Sequence, residues 1–318
     1  MELALYGEHG FYTRGGRAGR RGDFLTSPEV GPLFGAVIAR SLDAEFERLG
    51  RPQPFTFVEA GAGTGALARA VLAARPACSD SLRYVAVEIS ETQRRHHPVG
   101  VESVDSLPAG PVDGVVLANE LLDNLPFRLV VFDGAWREAF VAEDASGELV
   151  EVLGAPLDPV PPVLPARPAH GARAPLQDAA RQWLAAATAL LRSGRVVVID
   201  YARPATAELA ARPWREWLRT YRSHGRGGHY LADPGEQDIT ADVALDQLPE
   251  ADVVRTQAQF LRRWGIDELV ADGRRAWTRA AASPDLAAVT MRSRAREAEA
   301  LLDPAGLGAF IVAEWVVA

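Results

Sequence analysis

The chain has no lysine, so all 34 of its strong cations are arginine. That bias travels with abundant Ala, Gly and Pro and reads as the mark of a GC-rich genome rather than of a special role. A single cysteine, Cys78, excludes an internal disulfide framework and any multi-thiolate zinc site. No compact His/Cys/Asp cluster has ligand spacing, so no metal is expected. No apolar run approaches the roughly 20 residues a membrane-spanning helix needs. MELALYGEHGFY has no basic stretch leading into an apolar core, so no secretory signal is expected. RGGRAGRRG is Arg-rich like part of a transit peptide, but acids precede it, and the expected location is the cytoplasm. Excess positive charge is also missing. The net charge of −8 argues against a nucleic-acid partner, although a local basic strip remains at Arg14, Arg17, Arg20 and Arg21.

What is present is enough for a large core. The 318 residues are 48% hydrophobic, which suits two domains or one large domain with an insertion. Pro28 to Leu49 places Val30, Leu33, Phe34, Val37, Ile38, Leu42 and Phe46 at helical spacing. FTFVEAGAGTG then reads as a strand running into glycines, ALARAVLAARP as a helix, RYVAVEIS as a second strand and GVESVDSL as a weaker third. VDGVVLANELLDNLP is a fourth strand ending in an acidic turn. This alternation predicts parallel βαβ units. Asp133-Gly134 breaks the rhythm with a hairpin signal. The proline-rich 156–175 reads as an exposed, partly extended connection. A helix over 176–191 with Gly194 near its C-cap, and a fifth strand RVVVIDYA, follow. Residues 203–250 read as a loop-rich insertion, 257–270 and 285–302 as helices, and AFIVAEWVVA as the closing strand. The expected organisation is an N-terminal lid and helix (1–50), a cofactor-binding core with an inserted hairpin (51–202), a substrate-side insertion (203–250) and the remainder of the core (251–318).

Candidate chemistry gathers at strand ends. Gly61, Gly63 and Gly65 lie between a strand and a helix, where missing Cβ atoms let a ligand approach the backbone. Glu88 ends the second strand, where a carboxylate can accept from both ribose hydroxyls. Gly61, Gly63 and Ala66 also satisfy a dinucleotide pattern, which leaves NAD open. Glu59 just before the loop opposes a pyrophosphate and suits a cationic sulfonium, which favours S-adenosylmethionine. Asp105 after the third strand is placed to meet an adenine amino group, or is an ordinary turn acid. Asn119, Glu120 and Asp123 end the fourth strand, where open α/β sheets bind ligands. Glu120 and Asp123, three apart, would share one face of a helical turn. Two acids beside a sulfonium would hold a guanidinium, whose planar fork matches carboxylates. Methylating it requires orientation and a base, because its pKa exceeds about 12.

GDFLTSPE precedes the first strand. Ser27 and Pro28 suit the N-cap and first position of a helix. The loop is also placed to fold over a cofactor, with Asp23 and Thr26 as polar partners and Phe24 excluding water. DPGEQDITADV offers Asp238, Thr240 and Asp242 as a possible cleft wall, with His224 and His229 nearby.

GDFLTSPEVGPLFG, VEAGAGTG, ANELLDNLPF, VVIDYA and PGEQDITADV occur in this order, and as a set they resemble the MidA-type methyltransferases. That family includes a mitochondrial complex I assembly factor associated with symmetric dimethylation of an arginine. The resemblance implies a class I methyltransferase fold, α/β and Rossmann-like, with a mostly parallel seven-stranded sheet. It implies S-adenosylmethionine as cofactor and makes a protein arginine a plausible acceptor. A small-molecule acceptor, or a non-catalytic assembly role that keeps the pocket, stays open at this stage.

Overall fold

The computed structural model describes residues 1–14, 26–222, 225–280, 283 and 285–318. Asp23, Phe24, His224 and the arginines at 17, 20 and 21 lie outside them. Seven strands form the central sheet: β1 (Phe55–Ala60), β2 (Leu82–Val87), β3 (Glu102–Val104), β4 (Val112–Asn119), β5 (Leu191–Asp200), β6 (Val253–Thr256) and β7 (Ile311–Val317). Their spatial order is 6-7-5-4-1-2-3. Strands 1 to 5 pair in parallel, and β7 runs antiparallel to both β5 and β6. The α/β class expected from the βαβ rhythm, and the mostly parallel seven-stranded sheet that the family resemblance implied, are observed.

Both faces of this sheet are apolar because both are covered. Val115 and Leu117 of β4 pack with one cluster, which includes Leu33, Phe34, Val37 and Ile38. Val116 and Ala118 pack on the other side, against Ala180, Leu184 and Ala187 of the helix Asp178–Leu190. Among the helices used below, α1 is Glu2–Tyr6, α2 is Ser27–Val30, α3 is Pro32–Arg48 and α4 is Ala66–Ala74.

Three local expectations are corrected. The helix read from Pro28 to Leu49 is two pieces, broken between α2 and α3 at Gly31. Pro32 cannot donate to the preceding turn, so it opens a new helix instead of continuing one. Ser27 does not cap: Thr26 is the N-cap residue and makes no side-chain cap bond, while the Ser27 hydroxyl donates to Gln257 Oε1 at 2.9 Å. Gly194 is no helix C-cap but lies inside β5, beside Gly114 of β4. A Cβ on Gly194 would sit 1.8 Å from the Gly114 carbonyl oxygen, and one on Gly114 would sit 1.8 Å from that of Thr56. These two glycines let β1, β4 and β5 pass at closest approach. Gly114→Ala should therefore destabilise the protein by about 2–4 kcal/mol through backbone displacement and strain, read as a lower denaturant midpoint with unchanged slope.

The inserted hairpin is present as Arg128–Phe132 and Trp136–Glu143, extended by Leu149–Pro156 and closed by Arg173–Leu176 into a four-stranded sheet. The insertion after β5 is less loop-like than its sequence reads. Leu218–Arg222, Gly225–Arg226 and Asp238–Ala241 make a small antiparallel sheet. Trp217, Leu218, Ile239 and Ala241 bury its inner side against Leu5 and Phe11 of the N-terminal segment.

Candidate active site

Every parallel strand of the sheet ends near one edge, and an acid sits at or next to each end: Glu59, Glu88, Asp105, Glu120 and Asp200. A cavity of about 410 Å³ opens there, within the range of small-ligand sites. Thr26, Glu59, Gly61, Gly63, Glu88, Asp105, Asn119 and Glu120 line it. Gly65 and Asp123 are not among its lining residues.

The glycine loop fits a ligand lying on its backbone. Gly61 and Gly63 take positive φ of 71° and 53°, a region that Cβ-bearing residues visit rarely. Gly65, also left-handed at φ 79°, caps α4, and its Cα faces His97 and Pro98; it shapes the turn without touching the cavity. His97 braces the loop from behind, its Nε2 2.9 Å from the Gly63 carbonyl and its Nδ1 2.8 Å from the Ser103 hydroxyl. Nothing in the glycine pattern announced it.

Glu88 is buried, and its two oxygens accept from the Gly63 N–H at 2.9 Å and the Ser90 N–H at 2.8 Å. A carboxylate has about four acceptor positions, so both oxygens retain capacity for hydroxyl donors. Glu59 accepts the Tyr84 hydroxyl at 2.6 Å. Burial pushes its carboxyl up to about 8, against the lowering effect of Tyr84. Asp105 is exposed and accepts from the neighbouring Ser106 hydroxyl at 3.0 Å.

The strand-four turn is built differently from the expected single helical face. Glu120 takes a left-handed φ of 52°, and the short 3-10 turn starts only at Leu122. That kink sends the two acids apart. Glu120 faces the cavity, accepting from Asn119 Nδ2 at 3.0 Å and the Ser27 N–H at 3.4 Å. Burial, then the charge of Asp123, raises its carboxyl to about 8. Asp123 turns inward and is buried beside Thr240 and Arg219. A non-glycine residue held left-handed at a ligand edge is the kind of local strain that marks functional turns. Asn119 Oδ1 is buried with no hydrogen-bond partner among the described residues, an acceptor left open at the same place.

Behind this turn stand residues that the sequence pointed to in part. Asp200 accepts from the backbone N–H of Leu122 at 2.9 Å and of Asp123 at 3.3 Å, so the end of β5 fixes the turn. Asp238 accepts from Tyr12 Oη at 3.0 Å and from Asn124 Nδ2 at 3.0 Å. Asp238, Thr240 and Asp242 are buried and do not line the cavity: they support the wall instead of forming it. His229 is exposed and away from it. The sequence reading missed Tyr6 and Tyr12, which line the cavity with rings stacked 5.6 Å apart. Tyr6 donates to the Asn124 carbonyl at 3.1 Å. Their only signal was the presence of aromatics in a segment read as N-terminal lid.

A glycine cradle, open acceptors on Glu88 and Asn119, and buried acids able to neutralise a cation all fit S-adenosylmethionine. Among the described residues no group of three His, Cys, Asp or Glu could hold a metal ion, and no helix is long and apolar enough to cross a membrane.

Comparison with known proteins agrees with this geometry. A crystallised protein from Burkholderia thailandensis, bound to S-adenosyl-homocysteine, is 28% identical with a TM-score of 0.80, covering 98% of this chain and 85% of that one. The Drosophila melanogaster protein arginine methyltransferase NDUFAF7 homolog, mitochondrial, is 28% identical over 285 residues, 76% of this chain. The chain spans 62% of that relative's length. The Mus musculus protein arginine methyltransferase NDUFAF7, mitochondrial, is 26% identical, covering 81% of this chain and 67% of its own. These relatives overturn the expected cytoplasmic location, since they are mitochondrial proteins. A low cysteine count speaks only to the absence of disulfides and cannot separate one reducing compartment from another. The family described as "Putative S-adenosyl-L-methionine-dependent methyltransferase" matches residues 37–262, which run from within α3 through β1 to β6. That is more than half of the chain, and the chain belongs to this methyltransferase family, as its MidA-type resemblance implied.

Proposed function

We propose that this protein methylates a guanidine nitrogen of a protein arginine. The observation that carries the reading is Glu120, a carboxyl held at the cavity wall in a strained turn with its pKa raised towards neutrality. When bound, S-adenosylmethionine supplies an electrophilic methyl group. Gly61, Gly63 and Glu88 would hold its nucleoside side, Asp105 would meet the base, and Glu59 and Thr26 would stand at its charged end. Asn119 and Glu120 face the acceptor: as a guanidine nitrogen formed its new N–C bond in line, with the methyl–sulfur bond breaking and S-adenosylhomocysteine leaving, Glu120 would accept the proton that the nitrogen loses. Asp123 acts through Glu120: its charge helps to keep that carboxyl basic. The relatives' names as protein arginine methyltransferases support the acceptor class.

The direct test is transfer of radiolabelled methyl from S-adenosylmethionine to a lysate, followed by mass spectrometry of the labelled product. Methylarginine in a protein is expected. Label confined to small metabolites would replace the acceptor class, and no label at all despite cofactor binding would leave an assembly role.

The raised carboxyls also set a pH dependence. With a pKa of about 8, Glu59 is mostly protonated at neutral pH and must lose its proton to face a sulfonium. The affinity for S-adenosylmethionine relative to uncharged-sulfur S-adenosylhomocysteine should therefore rise between pH 6 and 8, by up to about tenfold per unit, and level off above. Both molecules share the same amino and carboxyl groups, so their titration cancels in the ratio. Calorimetry of the two ligands across that range checks it, and a flat ratio would remove Glu59 from the charged end.

A further inference from the structure

A second cavity, of about 520 Å³, lies on the other side of α1. Tyr6 of α1 lines the first cavity, while Met1, Leu3 and Ala4 line the second. The chain after β4 divides in the same way: Asn124 and Leu125 line the first, Phe127 and Leu129 the second. The two spaces thus share one short helix and one connecting segment as their partition.

The second cavity is mainly apolar, and its outer wall is the inserted hairpin. Phe140 and Val141 line it and are 53% and 54% exposed, beside Leu149 at 37%. This is more apolar surface than a hairpin facing only water would show. The same hairpin is strongly acidic. From Glu138 to Glu151 the chain has five carboxylates and no cation: Glu138, Glu143, Asp144, Glu148 and Glu151. Glu138 and Glu151 are paired with Arg128 and Arg173. Glu143, Asp144 and Glu148 are exposed and have no cationic partner among the described residues. These three carboxylates lie beyond the cavity's own lining, where the hairpin continues: Glu143 is the cross-strand partner of Leu149, which lines the cavity. An apolar hollow whose wall runs on into unpaired carboxylates is complementary to a basic segment with an apolar anchor.

The geometry points to this cavity as the docking site of the polypeptide that carries the acceptor arginine, and the inference rests on the protein-arginine reading above. One apolar side chain of that polypeptide fills the second cavity, and its basic neighbours face Glu143, Asp144 and Glu148. A helix with its side chains is about 10–12 Å across, and an extended chain advances about 3.3 Å per residue. The anchor therefore lies about three to four residues from the arginine. Fixing the chain at a second point orients the guanidinium without adding contacts at the methyl.

The probe is a set of synthetic peptides with one central arginine among glycine and lysine, and a single leucine walked outwards from it. A parallel set has the arginine replaced by glutamine, so that docking is read by fluorescence anisotropy apart from chemistry. Leucine in the stated window should tighten binding of both sets by roughly 10–100-fold, the worth of one buried leucine, and lower KM by a similar factor for the arginine set. Two variants should weaken binding of the windowed peptides while S-adenosylmethionine affinity stays unchanged, the first by removing the leucine gain and the second by weakening all lysine-bearing peptides alike. One is Ala139→Trp, which fills the cavity; the other is Glu143→Arg/Glu148→Arg, which reverses exposed charge and leaves the core untouched. Binding indifferent to leucine position, or an Ala139→Trp protein that still prefers the windowed leucine, overturns the docking site. Leucine-dependent binding with no methylation of any peptide upholds the docking site and contradicts the arginine reading alone.

Discussion

Glu120→Gln should lower the rate of methyl transfer by about 10²–10⁴-fold, the range set by losing a positioned general base, while S-adenosylmethionine still binds. The substitution separates chemistry from architecture. Glutamine keeps an Oε1 that accepts from Asn119 Nδ2 and from the Ser27 N–H, the two contacts Glu120 makes, so the turn stays in place. Only the ability to take a proton is lost. The wild-type rate should rise as pH approaches 8, because Glu120 is raised to about that value by burial and by Asp123 and acts as a base only when ionised. In Asp123→Asn that profile should move to lower pH, since a neighbouring negative charge is removed. Full activity in Glu120→Gln, measured by product formation at saturating cofactor, would return Glu120 to a structural role.

Arg195→Met should cost about 3–5 kcal/mol of stability, the scale measured when one partner of a buried ion pair is removed. Arg195, on β5, donates to Glu45 Oε2 of α3 at 2.9 Å and to Glu314 Oε2 of β7 at 2.8 Å. Glu45 and Glu314 are each 1% exposed. Burial alone would push the Glu45 carboxyl up, but hydrogen bonds from Arg48 and Arg195 outweigh it and hold the carboxyl below its usual value. Methionine would leave two buried carboxylates with one cation each, Arg48 for Glu45 and Arg255 for Glu314. The network lies within the sheet and behind α3, so the loss should appear in chemical denaturation and not in the cofactor's affinity per folded molecule. A double substitution, Arg195→Met with Glu314→Gln, should recover part of the loss by removing one stranded charge.

The parallel sheet was legible because the central parts of β1, β4 and β5 are buried on both faces and appear as short apolar runs, FTFV, VVLA and VVVI; the spatial order of its strands was not. Gly61 and Gly63 were legible because glycine between a strand and a helix has few other uses. The turn after β4 was legible in place but not in form. Spacing puts Glu120 and Asp123 on one helical face, and only the left-handed backbone at Glu120, which no residue type announces, turns them apart. Ser27 misled for a related reason: its sequence neighbours suit a cap, but a residue 230 positions away, Gln257, takes its hydroxyl. Tyr6, Tyr12 and Asp200 were out of reach of local reading, since each acts through a partner distant in the chain: Asn124, Asp238 and the 122–124 turn. Long-range hydrogen bonds of this kind have no sequence period, and the wall of the site is made mostly of them. Asp23 lies outside the described residues, and its expected place over the cofactor is carried by GDFLTSPE.

The central claim is that the hollow between the Gly61–Gly63 bend and Glu88 takes an adenosyl ligand. Co-crystallisation with S-adenosylhomocysteine tests it most directly. The account predicts electron density in the cavity of about 410 Å³, with ribose oxygens at Glu88 and the sulfur end towards Asn119 and Glu120. Density elsewhere, or an empty cavity at saturating ligand, would contradict it.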